Sequence, residues 1–236
     1  PALGKAKQKA NQAKCISNLK QFGMSMIMYV DTFGGNLMAY YNGPSPIPTI
    51  NNQNFWIPLL RSNSALTDDK IWLCPNATRV DPANGFPVNF GAAPSGPTFP
   101  SMLSWYGNVA SFIGGTTGSY TINAWYQLPT AGAGANNWRT AEDGNPGVQP
   151  VFVDGGWVDT WPGPNDTPPV RALWGGNGGQ MGVVGNMARI CISRHAFGVN
   201  TTMFDGHVEY TKLPDLWKLP WYSGYVAPAA PVAVPQ

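Results

Sequence analysis

Charge is the first thing this sequence has little of. Only 11% of its 236 residues are Asp, Glu, Lys or Arg, where about 25% is usual for a soluble globular chain. A fold built on ion-pair networks is therefore excluded. Histidine is scarcer still, with only His195 and His207 available as bases near neutral pH. No G-x-S-x-G elbow, H-E-x-x-H zinc helix or P-loop occurs, and the glycine cluster Gly175-Gly176-Asn177-Gly178-Gly179 fails the dinucleotide fingerprint at Met181. The expectation is a protein that is not an enzyme. No run of eighteen apolar residues exists, so the chain as it stands offers no membrane span. Cysteine is limited to Cys15, Cys74 and Cys191, which are too far apart for a CxxC knuckle and leave one thiol over if two pair.

What is abundant points the same way. The 28 glycines and 23 prolines are about 22% of the chain, against an average near 12%, so the protein cannot be mostly helix. Twelve per cent aromatic content, with ten Trp, argues against disorder, which goes with few aromatics and many charges. An ordered, loop-rich head held by aromatic clusters and backbone hydrogen bonds is expected. The Trp could instead form a sugar-stacking platform for surface glycans. The plainer reading is that they are the core.

Net charge is only +2, which predicts no nucleic-acid partner, but its distribution is uneven. Lys5, Lys7, Lys9, Lys14 and Lys20 all precede the first acidic residue, Asp31, so the rest of the chain sums to −3. The amino-terminal segment is thereby marked as a separate element. From Leu3 to about Phe33, small or apolar residues recur at Ala6, Ala10, Ala13, Ile16, Leu19, Gly23, Met26, Val30 and Phe33. Spacings of three and four predict one long amphipathic helix. The Ala stripe of its first half predicts little cover, and the fuller second half, flanked by Phe22, Ile27 and Tyr29, predicts packing against a domain. Gly34-Gly35 supplies the stop. Pro1 opens straight into this pattern with no capping residue, so the polypeptide is expected to begin upstream.

Three segments follow: a stalk over 1–33, a head over 34–226, and an extended Pro/Ala/Val tail over 227–236. Within the head, a short helix is expected near 54–60, strands at Ser119–Tyr126 and Val151–Asp154, and loops over 36–54 and 81–118. The clearest element is a hairpin, Val199–Phe204 and His207–Thr211, joined by a two-residue type I′ turn at Asp205-Gly206. Its alternation puts Val199, Thr201 and Met203 on one face, and Val208 and Tyr210 on one face of the returning strand.

Few residues could carry chemistry. His195 and Asp205 could pair, as half a metal site or in a hydrolase. Alternatively Asp205-Gly206 is only the turn and His195 anchors the strand entry, which is the reading favoured here. Asp154, Asp159, Asp166 and Asp205 could supply oxygens to a structural calcium, although turn aspartates more commonly bond local backbone. Asn76, Asn165 and Asn200 begin N-x-[ST] sequons.

Two stretches carry a resemblance. Lys14-Cys15-Ile16-Ser17-Asn18-Leu19-Lys20-Gln21, followed by Met28-Tyr29, resembles the post-membrane helix of type IV pilin-like and type II secretion pseudopilin-like proteins, in particular the planctomycete and verrucomicrobial set. Arg194-His195 through Phe204-Asp205-Gly206-His207-Val208-Glu209 resembles the H-X9-DG element that names that set's C-terminal domain. Cys74-Pro75, Ser119-Tyr120 with Asn123, Pro150–Asp154 with Trp157, Asp159 and Trp161-Pro162, and the ending Leu213–Trp221 fit the same pattern.

The resemblance implies a pilin-like α+β subunit, with a long N-terminal helix on an antiparallel sheet head with extensive loops. It implies a leader cut by a prepilin peptidase and about twenty apolar residues upstream of Pro1, held in the inner membrane before assembly. Self-association into an extracellular or periplasm-spanning filament would then use Ala6, Ala10, Ala13, Ile16 and Leu19, with Lys5 and Lys9 meeting acidic groups of neighbouring heads. In the same frame a Cys15–Cys74 disulfide would tie helix to head and leave Cys191 free. A glycan-binding adhesin on such a filament is the alternative, and it predicts an exposed row formed by Trp157, Trp161, Trp174 and Trp221.

Overall fold

A computed structural model of the chain describes residues 2–38, 56–63, 66–77, 105–106, 117–127, 136–138, 140, 143–169 and 186–235. The expected loops over 36–54 and 81–118 fall largely outside these, as do Trp174 and the glycine cluster at 175–179.

The stalk helix α1 runs from Ala2 to Thr32. It ends as the glycine pair requires: Gly34 and Gly35 have φ of 64° and 85°. The Gly35 N–H donates to the Val30 carbonyl at 2.8 Å and the Gly34 N–H to Asp31 at 3.3 Å, the paired bonds of a Schellman stop. Residues 2–10 are all exposed, while Cys15, Asn18, Leu19, Phe22, Gly23, Ser25, Met26, Tyr29 and Val30 are buried. The bare first half and packed second half match the composition of the two halves. The buried stripe, however, is turned from the expected one. Phe22 and Tyr29, placed on the flanks from spacing alone, lie at its centre, and Ile16 is only half-buried. Large rings remove more apolar area from water than Ala or Gly, so they decide which face turns inward.

The short helix α2, Trp56–Asn63, packs beside α1. Strands β1 (Trp105–Tyr106) and β2 (Thr117–Gly118) form a small ladder. The main sheet has five strands in the order β5-β3-β4-β6-β7, comprising β3 (Tyr120–Asn123), β4 (Pro150–Asp154), β5 (Asp159–Thr160), β6 (Gly198–Met203) and β7 (Val208–Lys212). It is α+β as expected, but the sheet is mixed rather than antiparallel, because β5 pairs parallel with β3. Gly155 makes that possible. Leaving β4, the chain crosses the start of β3, where the Gly155 N–H donates to the Ser119 carbonyl at 3.0 Å. A Cβ there would overlap the Thr121 side chain.

The sheet divides two cores. Beneath α1 lie Leu19, Phe22, Met26, Trp56, Trp72, Tyr120, Ile122 and Phe152. On the other face are Val153, Ile190, Ile192, Val199, Leu213, Leu216, Trp217 and Trp221, many of them from the 3-10 turn Leu213–Lys218. Val232 and Val234 of the tail pack on this second core.

The β6–β7 hairpin forms with a different turn. Thr202 pairs with Val208 and Thr201 with Glu209, one step out from the register a two-residue loop would impose. The Gly206 N–H donates to Met203 and the Met203 N–H to His207, both at 2.9 Å. Only Gly206 has positive φ, at 87°. This is a three-residue loop with glycine at the left-handed position, not a type I′ turn, which would force positive φ on Asp205 as well.

Candidate functional site

The helix stripe carries Cys15 to the sheet side of α1. Opposite it, β3 and β4 are in register with Tyr120 against Asp154, which sets the Asp154 carboxylate at the strand end beneath Cys15. Cys74 follows the 3-10 turn Asp69–Trp72, and its N–H donates to Ser119 Oγ at 2.6 Å. His195 comes from the turn before β6. There Ala196 and Phe197 both adopt left-handed φ, 49° and 64°, and the His195 N–H donates to the Gly198 carbonyl at 2.9 Å. That conformation is costly for non-glycine residues. It reverses the chain and turns His195 inward.

The four side chains converge. Their ligand atoms, two sulfurs, a ring nitrogen and a carboxylate oxygen, lie within 4.8 Å of one another, and all four residues are buried. Cys15 Sγ is 3.2 Å from Asp154 Oδ1, Cys74 Sγ is 3.4 Å from His195 Nε2, and His195 Nε2 is 3.3 Å from Asp154 Oδ2. Arg194, with a fully buried side chain, brings Nη1 to 3.7 Å from Asp154 Oδ1 and donates to the Ser119 and Gly155 carbonyls. The Asn200 N–H donates to Asp154 Oδ2 at 2.8 Å. Asn76 Nδ2 stands 3.3 Å from His195 Nδ1.

These contacts redistribute protons. Burial raises the Cys15 thiol well above its ordinary value, and Cys74 and Asp154 add to the rise. A hydrogen bond from Cys15 draws Cys74 down to about 6 against its own burial, helped by His195 and Arg194. Burial would raise Asp154, but His195, Arg194 and the Asn200 N–H outweigh it and hold the carboxyl low. Burial would lower His195, yet Asp154 and Cys74 raise it to about 9. Thiolate, carboxylate, imidazolium and guanidinium then balance, as a buried group of charges must.

A histidine relay from an acid to a nucleophile uses both ring nitrogens. Here Cys74 and Asp154 meet the same one, Nε2, and Cys74 is 1% exposed. The arrangement is that of ligands around a point.

Several expected placements are corrected. Cys15 and Cys74 are brought together, as the expected pairing needs, and stand as free thiols in this structure. His195 does not meet Asp205. Asp205 accepts from the His207 N–H at 3.0 Å and contacts His207 Nδ1 at 2.6 Å on the surface, so it serves the turn and His195 anchors the strand entry. Nor do the four aspartates converge on a calcium. Asp159 pairs with Arg189 at 2.8 Å, Asp166 accepts the Gly163 and Met187 N–H groups, and Asp154 belongs to the cluster above.

Of the candidate polymer residues, Lys5, Ala6, Lys9, Ala10 and Ala13 are exposed, whereas Leu19 is sealed in the head core. Trp221 is buried and Trp157 and Trp161 are half-buried, with the Arg189 guanidinium 5.7 and 5.8 Å from their ring centroids. No described Trp stands among the large exposed apolar side chains. The Asn200 sequon is fully buried in β6.

Sequence reasoning named all four cluster residues but joined only Cys15 with Cys74. Cys15 and Asp154 are 139 positions apart, and Cys74 and His195 are 121, so no local spacing signals a site. Compared with known proteins, the chain matches no family model, no curated protein and no solved structure.

Proposed function

We propose that this chain is a structural subunit of a helical filament of the type IV pilin or type II secretion pseudopilin class. It would be anchored in the inner membrane before assembly by a segment upstream of Pro1, and would act outside that membrane. One observation carries the reading: α1 is buried across the sheet in its second half, while every residue from 2 to 10 is exposed. Nine residues are about 13 Å of helix. A helix with no apolar face against a neighbour gains no tertiary stabilisation, and parallel copies in a filament would supply it. The exposed Lys5 and Lys9 would meet carboxylates such as Asp31, Asp68 and Glu209, which are exposed on the head.

Of the four Trp that the adhesin alternative would expose in a row, Trp221 is buried and Trp157 and Trp161 are half-buried, while Trp174 lies outside the described residues. A hydrolase built on His195 and Asp205 loses support with their separation.

Electron microscopy of the native surface tests the proposal. Filaments whose density traces this head are expected, and the double variant K5E/K9E is expected to lower filament yield at unchanged head stability. Full-length mature protein that stays monomeric under every condition would refute the reading.

A further inference from the structure

We propose that Cys15, Cys74, Asp154 and His195 form a closed structural zinc site that pins the stalk helix to the head. The site stands independently of the filament reading, because it rests only on the geometry beneath α1.

Donor type comes first. Two sulfurs, an imidazole nitrogen and a carboxylate are ligands that Zn²⁺ takes in four-coordinate sites, and four protein ligands with no open position define a structural rather than a catalytic centre. Geometry comes next. A tetrahedral zinc with Zn–S of about 2.3 Å and Zn–N or Zn–O of about 2.0 Å has S···N and S···O edges of about 3.5 Å and an N···O edge of about 3.3 Å. Cys74 Sγ stands 3.4 Å from His195 Nε2, the Asp154 carboxylate meets Cys15 Sγ through Oδ1 at 3.2 Å and His195 Nε2 through Oδ2 at 3.3 Å, and one ligand atom from each of the four residues lies within 4.8 Å of the others. The ligands already stand close to where the ion needs them.

Charge closes the argument. Two thiolates, one carboxylate and a neutral imidazole carry three negative charges. Zn²⁺ and the buried Arg194 guanidinium, 3.7 Å from Asp154, carry three positive ones. A neutral assembly of this kind is what a site without solvent requires. Binding displaces the Cys15 thiol proton and the proton on His195 Nε2 and releases them to water. Around the ligands, the Asn200 N–H holds the carboxylate at 2.8 Å, and the Tyr120 hydroxyl donates to Cys15 Sγ at 3.6 Å. Such outer contacts orient metal ligands. The four ligands come from α1, the segment after the first 3-10 turn, β4 and the turn before β6. One ion would therefore cross-link four chain segments and hold the stalk helix on the head.

The test uses the purified 236-residue chain, produced with zinc present and without chelator. Elemental analysis is expected to find one zinc per chain. Exchange with Co²⁺ should give the intense visible bands of a tetrahedral ion and a thiolate charge-transfer band, and chelation should lower the Tm by several degrees. C15S and H195Q should each lose the metal, whereas C191S should retain it, because Cys191 is buried outside the cluster. Should the ligand variants fail to fold, the cobalt spectrum and metal content of the unaltered chain still decide. A chain free of zinc whose denatured mass shows a Cys15–Cys74 bridge would overturn the proposal. So would a cobalt spectrum without thiolate bands.

Discussion

Gly23 of the stalk helix lies so close to Thr202 of the hairpin that a Cβ on it would stand 2.7 Å from Thr202 Cγ2 and 3.0 Å from Gly206 Cα. Helix and sheet approach there because the residue has no side chain. Thr202 Oγ1 also donates to the Leu19 carbonyl at 3.3 Å, which fixes the separation. In an exposed helix, Gly→Ala stabilises by about 1 kcal/mol. Here Gly23→Ala is expected to destabilise by about 1–3 kcal/mol through overpacking. Urea denaturation decides between the two signs.

Phe22 is the hub of the first core. Its ring centroid lies 4.9 Å from Trp72, 5.3 Å from Tyr120 and 5.5 Å from Phe152. Phe22→Ala should cost about 3–5 kcal/mol. It should also loosen the second half of α1, read as faster amide exchange from Leu19 to Met26. A loss below about 1 kcal/mol would mean that the stalk is not seated through this ring.

Ala196 adopts φ of 49° and is exposed, so its methyl adds strain without adding packing. Ala196→Gly is expected to stabilise by about 0.5–1 kcal/mol, the relief of left-handed strain less the added entropy of the unfolded chain. The same change at Phe197 removes a ring packed on the second core and should not stabilise. Comparing the two thermal melts separates strain from packing.

Asp159 provides a pH test. Burial raises its carboxyl to about 6, outweighing the attraction of Arg189. A carboxyl with a raised folded pKa binds its proton more tightly when folded, so stability falls as pH rises from about 4 to 6 and levels off above that. The stability of the unaltered chain minus that of Asp159→Asn should decline across that window by about 3 kcal/mol at most. A difference that grows with pH would mean that Arg189 dominates.

Local chemistry was legible in residue order. The α1 helix follows from spacings of three and four, its end from Gly34-Gly35, and the β6–β7 hairpin from alternation, because each depends on neighbours a few positions away. The hairpin turn was misread because Asp-Gly serves both a two-residue and a three-residue loop. The chosen loop pairs Asn200 with Tyr210 and Thr202 with Val208, so those β7 residues share the face on which Asn200 Oδ1 accepts from Gln12 of α1 at 3.3 Å. Spacing alone could not make that choice.

Composition by itself determined that this protein would be a helix bearing a loop-rich, weakly charged head, since Gly, Pro and Trp exclude other bulk solutions. Which helix face turns inward, the parallel seat of β5, and the meeting of Cys15, Cys74, Asp154 and His195 were decided by tertiary structure. Phe22 competes for burial against every other ring of the head, and ligands more than a hundred residues apart meet only after the sheet has set their register. Contacts of that range carry no sequence period.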